Sequence, residues 1–272
     1  MATQLGGSAV AATPYGPRTD WELLRQSALA EPEFEGLSEG DYFTVQFGHL
    51  PAGHERVTEL AARGLPGLDL KALVEGVRRV DVGSSFVTFV PAMVNQIRPS
   101  QQRRHALRGN FCEPIRQALR EIRGHLSDLW TRAIRQQRQG TAGAATGWIG
   151  EALHLIQDSY SDAHVWRIRG AAGRFPIVYI RFFGLQGAGA PLEHHLGRDP
   201  DPRDVVAGSV GGLSPAAARA RDASREFLTS WLRRRGASAG ATDSALLAFM
   251  EKHLSLSPHA FDPSHYYYRC RV

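Results

Sequence analysis

Through much of this chain apolar residues recur at intervals of three and four, the spacing of a helix with one buried face. In "GHERVTELAARGLPG" the pattern opens near His54, continues through Val57, Leu60 and Ala61, and ends at a Gly-Leu-Pro-Gly stop. "DLKALVEGVRRV" reads as a second short helix. The long stretch "QQRRHALRGNFCEPIRQALREIRGHLSDLWTRAIRQQRQ" reads as two helices broken near Gly109 and Asn110. "TAGAATG" then forms a small-residue joint, and an amphipathic helix is expected from Trp148 to about Trp166. From Ser214, "SPAAARARDASREFLTSWLRRR" has Ser at a cap and Pro at the first helical position. "TDSALLAFMEKHL" is a further helix.

Two stretches break the helical period. "SSFVTFVPAMV" is strand-like in residue type but interrupted by Pro91. "GRFPIVYIRFFGLQGAGAPLEHHLGRDPDPRD" turns from apolar to glycine-rich to polar, and predicts a long loop with a short strand or hairpin near 174–183. The sum is an all-α class, a mainly helical single domain over 19–255, behind a flexible leader over 1–18 and ahead of an irregular tail over 256–272. Trp130, Trp148 and Trp231 are expected in the core, and His125 with Asp128 on a helix surface.

Composition narrows the chemistry. No run approaches the roughly 20 apolar residues of a membrane-spanning helix. The first 21 residues lack the basic start and apolar stretch of a secretory signal, which predicts a cytoplasmic protein or one exported by an effector-type or other signal-free route. Cys112 and Cys270 are the only cysteines and form no CxxC, so a thiolate zinc site is excluded, a disulfide framework is not expected, and Cys112 reads as a small core residue. The net charge of +5 rests almost wholly on arginine, since Lys71 and Lys252 are the only lysines. Much of it lies in 98–138, which fits phosphate-bearing partners and equally fits a solvated helix face.

Within "HLIQDSYSDAH", His154 and Asp158 stand four apart and His164 six further on. Four residues make about one helical turn, so the first two reach one ion, and His164 is expected on an adjacent face near the helix end. Alone, such a pair is also an ordinary solvated ion pair, worth a few tenths of a kcal/mol. The rest of the chain offers His195 and Asp199 at the same interval, together with His54 and His105. Imidazole nitrogen and carboxylate oxygen suit a borderline ion such as zinc.

"GEALHLIQDSYSDAH" resembles the helix signature of the zinc-dependent phospholipase C and single-strand-specific nuclease superfamily, in which this spacing of His, Asp and His binds a multinuclear zinc cluster. The resemblance implies a mainly helical fold holding two or three zinc ions. It assigns Asp81, His105, His154 and Asp158 to one ion, His164, His195 and Asp199 to another, and His54 to a third. Asp69 competes with Asp81, and His194 with His195. Where secreted relatives ligate the third ion with an amino-terminal Trp, Trp21 lies inside this chain, so either processing exposes a new terminus, or His49 or another carboxylate substitutes, or only two ions bind.

The activity so implied is hydrolysis of a phosphodiester by a metal-activated water, with Asp81 holding or deprotonating that water. A phospholipid or membrane surface is the expected substrate, with Phe175, Tyr179 and Phe182 of "RFPIVYIRFFG" touching acyl chains, although the stretch equally reads as a buried strand. One alternative is a nuclease of the same superfamily, with nucleic acid stacked on Tyr160, Trp166 or Phe111. Another is a helical binding module in which zinc is only structural.

Overall fold

The computed structural model describes residues 53–81, 98–110, 112–161, 164–170, 173–182, 215–235 and 243–260. Among them are seven helices and one two-stranded sheet, and helices take up 68% of the residues, which makes the chain all-α with a short strand insertion. In chain order they are α1 (Gly53–Ala62), α2 (Leu70–Asp81), α3 (Pro99–Arg104), α4 (Ile115–Arg138), α5 (Ala142–Asp158), β1 (Val165–Arg167), β2 (Ile177–Ile180), α6 (Pro215–Arg235) and α7 (Ser244–His253).

Helix α5 is the central element. It packs on α2, α4 and α6, and nearly every side chain from Ala145 to Asp158 is buried. The "TAGAATG" joint is therefore not a joint, because Ala142 to Gly147 form the first turns of α5. Their small side chains serve close approach instead. A Cβ on Gly76 of α2 would overlap the Gly147 carbonyl, and one on Gly150 would overlap the Leu73 carbonyl. Only glycine permits this backbone-to-backbone crossing.

A single apolar cluster runs from α1 through α7 and into both strands. Leu153, Ile149 and Ile156 of α5 are at most 1% exposed, and each contributes about 1.5–3 kcal/mol of burial. On the far side, Trp130 of α4 meets Trp231 and Phe227 of α6 edge to face, with ring centroids 5.6 and 5.2 Å apart. Trp130 and Trp231 are core residues as expected. Trp148 instead sits at the edge of the core, with the guanidinium groups of Arg79 and Arg132 stacked on its ring.

The helix expected to reach Trp166 ends eight residues earlier. Past Asp158 the chain folds into tight turns, with Tyr160 N–H donating to Gln157 O and Ser161 N–H to Asp158 O. Val165 to Arg167 then pair antiparallel with β2, Val165 opposite Ile180 and Trp166 opposite Tyr179, with an irregularity before Arg167. Tertiary pairing of these β-branched and aromatic residues overrides the helical period. The hairpin consequently begins before 174, at Val165. The expected tail is also pinned at its start, since Ile177 N–H donates to Ser255 O and Ser257 N–H to Ile177 O.

Cys112 is disulfide-bonded, and the chain's one other cysteine is Cys270. The sequence, in which Cys112 reads as a small core residue and no disulfide framework is expected, does not anticipate this bond. Two cysteines so far apart in sequence give no local signal of pairing.

Candidate metal centre

His54 and Thr58 lie one turn apart on α1, as His154 and Asp158 do on α5. The packing of α1 and α5 turns both pairs inward, with His154 and Asp158 at most 1% exposed and His54 5%. His105 follows α3, and His164 stands in the turn before β1 rather than on the helix. Helix, turn and loop thus deliver four imidazoles to one carboxylate.

Asp158 Oδ1 is 3.1 Å from His54 Nε2. Its Oδ2 is 3.0 Å from His154 Nε2, 3.1 Å from His105 Nδ1 and 3.2 Å from His164 Nδ1. The rings of His54 and His154 stack with centroids 4.0 Å apart, and His105 meets His154 edge-on at 5.0 Å. Burial alone would push the Asp158 carboxyl up, but His164, His154, His54 and the His105 hydrogen bond outweigh it and hold the carboxyl well below its usual range. Asp158 is an anion in the core.

The outer nitrogens of these rings are committed elsewhere. His54 Nδ1–H donates to Gln157 Oε1 at 2.8 Å, and His154 Nδ1–H to Val77 O at 3.1 Å. Each ring therefore turns Nε2 toward Asp158. A metal-bound histidine is held in the same way, its second N–H given to a carbonyl or carboxylate. Among the described residues, ligand atoms of His54, His154 and Asp158 all lie within 4.8 Å of one another. Ligands about 2.0–2.1 Å from a tetrahedral zinc stand roughly 3.3 Å apart, and the Asp158 oxygens stand 3.1 Å from His54 Nε2 and 3.0 Å from His154 Nε2. Two nitrogens and a carboxylate oxygen fit a borderline divalent ion, and the group can hold one metal ion.

The surrounding shell fixes the loops. Arg108 N–H donates to Arg181 O at 2.8 Å, and Arg181 N–H to His164 O at 2.8 Å, tying the loops of His105 and His164 together. The buried Glu151 pairs with Arg79 of α2 at 3.0 Å and with Arg104 of α3 at 3.4 Å, anchoring the helix that ends beside His105. Arg103 pairs with Glu113 and Glu121, and Arg123 with Glu251. Part of the arginine excess over 98–138 is thus spent inside the protein.

Of the residues expected at the site, His54, His105, His154, Asp158 and His164 come together. Asp81 is the last residue of α2, and its side chain lies outside the described residues, as do His195 and Asp199 and the competitors His49 and His194. The expected substrate contacts divide. Tyr179 and Phe182 are buried, and Tyr179 Oη accepts from Arg108 Nη2 at 2.7 Å. Their burial agrees with the reading of the stretch as a buried strand: Tyr179 lies in β2, and Phe182 lies past it, bridged to Arg108. Phe175 is half-buried under the Arg219 guanidinium. Of the expected base platforms, Tyr160 is buried, Trp166 is half-buried under the Arg181 guanidinium, and Phe111 lies outside the described residues.

Gln157, Thr58 and Ser224 belong to this centre but were not singled out from the sequence. Ser224 carried a signal, since it is a polar residue on the buried stripe of α6 between Ala220, Ala223, Phe227 and Leu228. No protein-family model, no curated protein and no solved structure matches this chain.

Proposed function

We propose that this protein is a zinc-dependent phosphoric diester hydrolase, phospholipase C-like, acting on phospholipid head groups. The observation that supports it best is the convergence of His54 Nε2, His154 Nε2 and Asp158 on one point, with both Nδ1–H groups already engaged. The spacing of "HLIQDSYSDAH" supplies the reaction class through its resemblance to the zinc phospholipase C and nuclease superfamily.

In this reading His54, His154 and Asp158 would hold one zinc with His105 beside them, and His164 would serve a second ion, for which the resemblance also assigns His195 and Asp199. Bound zinc lowers the pKa of a coordinated water to near neutrality and offsets charge on the phosphoryl oxygens. Asp158 supplies the negative charge that favours cation uptake. Asp81 would hold the attacking water and take its proton.

No helix among the described residues is long and apolar enough to cross a membrane, so a lipid substrate would be reached from the surface. The Cys112 disulfide supports action in an oxidising compartment, reached by a signal-free or effector-type route. The test is to load the full chain with zinc, measure bound metal, and offer phosphatidylcholine vesicles and single-stranded DNA separately. Metal-dependent release of phosphocholine or diacylglycerol is expected. Cleavage of DNA alone would move the substrate to nucleic acid, and zinc that raises Tm without hydrolysing either would leave a structural zinc module.

A further inference from the structure

Three of the histidines donate Nδ1–H to an oxygen, but not to the same kind. His154 donates to Val77 O and His164 to His105 O, both main-chain carbonyls that accept whatever the side chain. His54 donates to a side-chain amide, Gln157 Oε1. A primary amide carries an acceptor on one end and two donors on the other, so its orientation decides which nitrogen of a facing histidine keeps the proton. Turned one way, Gln157 selects the Nδ1–H form and leaves a lone pair on Nε2. Turned the other way, it would place N–H against Nδ1, send the proton to Nε2 and block coordination at the face toward Asp158.

Two hydroxyls from different helices hold the amide. Gln157 Nε2 donates to Thr58 Oγ1 of α1 at 2.9 Å and to Ser224 Oγ of α6 at 3.4 Å. Gln157, Thr58 and Ser224 are all fully buried. A polar residue on the apolar stripe of α6 is costly unless it is partnered, and its partner here is this amide. Thus α6, which places no ligand of the His54, His154 and Asp158 group, bears on the centre through Ser224.

We propose that Gln157 is a positioning residue whose amide, gripped by Thr58 and Ser224, fixes His54 in the Nδ1–H tautomer and so presents Nε2 to the metal. The inference deepens the zinc reading and rests on it. Loss of a partner that orients a metal ligand typically weakens metal binding by about 10–100-fold.

The test uses the full chain, zinc affinity by competition with a chelator, and the His54 tautomer read by long-range proton–nitrogen NMR of the metal-free protein. Wild type is expected to carry the His54 proton on Nδ1. Gln157→Leu, similar in volume but without an acceptor, should bind zinc about 10–100-fold more weakly. Gln157→Glu, which can accept the same Nδ1–H, should restore most of that loss together with the proton on His54 Nδ1, and it is this proton that a packing role would leave unchanged in Gln157→Leu. If Gln157→Leu does not fold, Thr58→Val and Ser224→Ala decide the matter, since freeing the amide should mix the His54 tautomers and weaken zinc binding. A wild-type His54 without a proton on Nδ1, or folded Gln157→Leu with wild-type zinc affinity, overturns the proposal. Wild type that takes up no zinc overturns the metal reading of the whole centre, whereas the metal-free tautomer still decides the part of Gln157.

Discussion

His164 Nδ1–H donates to the backbone carbonyl of His105 at 2.9 Å, so two imidazoles 59 residues apart in sequence are fixed by one main-chain acceptor. The bond leaves His164 Nε2 as its remaining ligand atom. His164→Ala should therefore lower bound zinc by one equivalent while the ion on His54, His154 and Asp158 stays, as read by metal analysis after dialysis. Unchanged stoichiometry and affinity would remove His164 from the ligand set.

Asp81 ends α2, whose Val77 carbonyl already orients His154. With the water-holding role proposed, Asp81→Asn should reduce turnover far more than zinc content, because the amide keeps an oxygen ligand and loses the base. Parallel loss of zinc and activity would mark Asp81 as a ligand only.

The crossing of α2 and α5 depends on glycine, and it sets the distance from Val77 O to His154. Gly76→Ala should destabilise the fold by about 1–3 kcal/mol or more, because the neighbour it meets is backbone and cannot rotate away. Denaturant unfolding measures this, and a change below about 0.5 kcal/mol would show that the helices separate freely.

Burial lowers His125 to about 4, helped by the charges of Arg104 and Arg132 and opposed by Asp128. Its Nε2 is buried without a hydrogen-bond partner. In the unfolded chain the same imidazole titrates near 6.5, so between the two values the unfolded state binds more protons. The native state is favoured at higher pH, and stability is lost as pH falls from about 6.5 towards 4. Allowing for the partial exposure of His125, the loss attributable to it is about 2 kcal/mol. Comparing wild type with His125→Phe by denaturant unfolding at pH 7.5 and pH 4.5 isolates it, and a pH dependence equal in the two proteins would exclude it.

Cys112 lies between Gly109 and Glu113, in the loop that the contacts of Glu113 with Arg103 and with Gly109 N–H brace behind His105. Cys112→Ser should cost about 2–5 kcal/mol of stability, measured against wild type with and without a reductant. Wild type that loses no stability on reduction would show that the bond is not a staple.

Much of the fold is legible in the chain because its helices bury one face, and a period of three and four survives in α1, α2, α4, α6 and α7. The hairpin is less legible, because Val165 and Trp166 continue an apolar pattern that fits a helix until β2 pairs with them. Burial of Tyr179 goes with the same pairing, and that of Phe182 with its bridge to Arg108. The five metal-type residues that converge were recognisable by type and spacing. Gln157, Thr58 and Ser224 were not, because an amide or a hydroxyl gains a role only through what it faces.

By itself the sequence determined that the protein is mostly helical, that His154 and Asp158 share one helix face, and that any transition metal must be held by nitrogen and oxygen. Only the tertiary structure decided that His164 leaves the helix and that α1 brings His54 against His154. It also decided that Nδ1 of His54 and of His154 each finds an oxygen, so that their Nε2 atoms face Asp158. The first group follows from local periodicity and residue chemistry, which a linear chain displays. The second follows from close approach of backbones at Gly76, Gly147 and Gly150, and from strand pairing, which exist only once distant segments have packed.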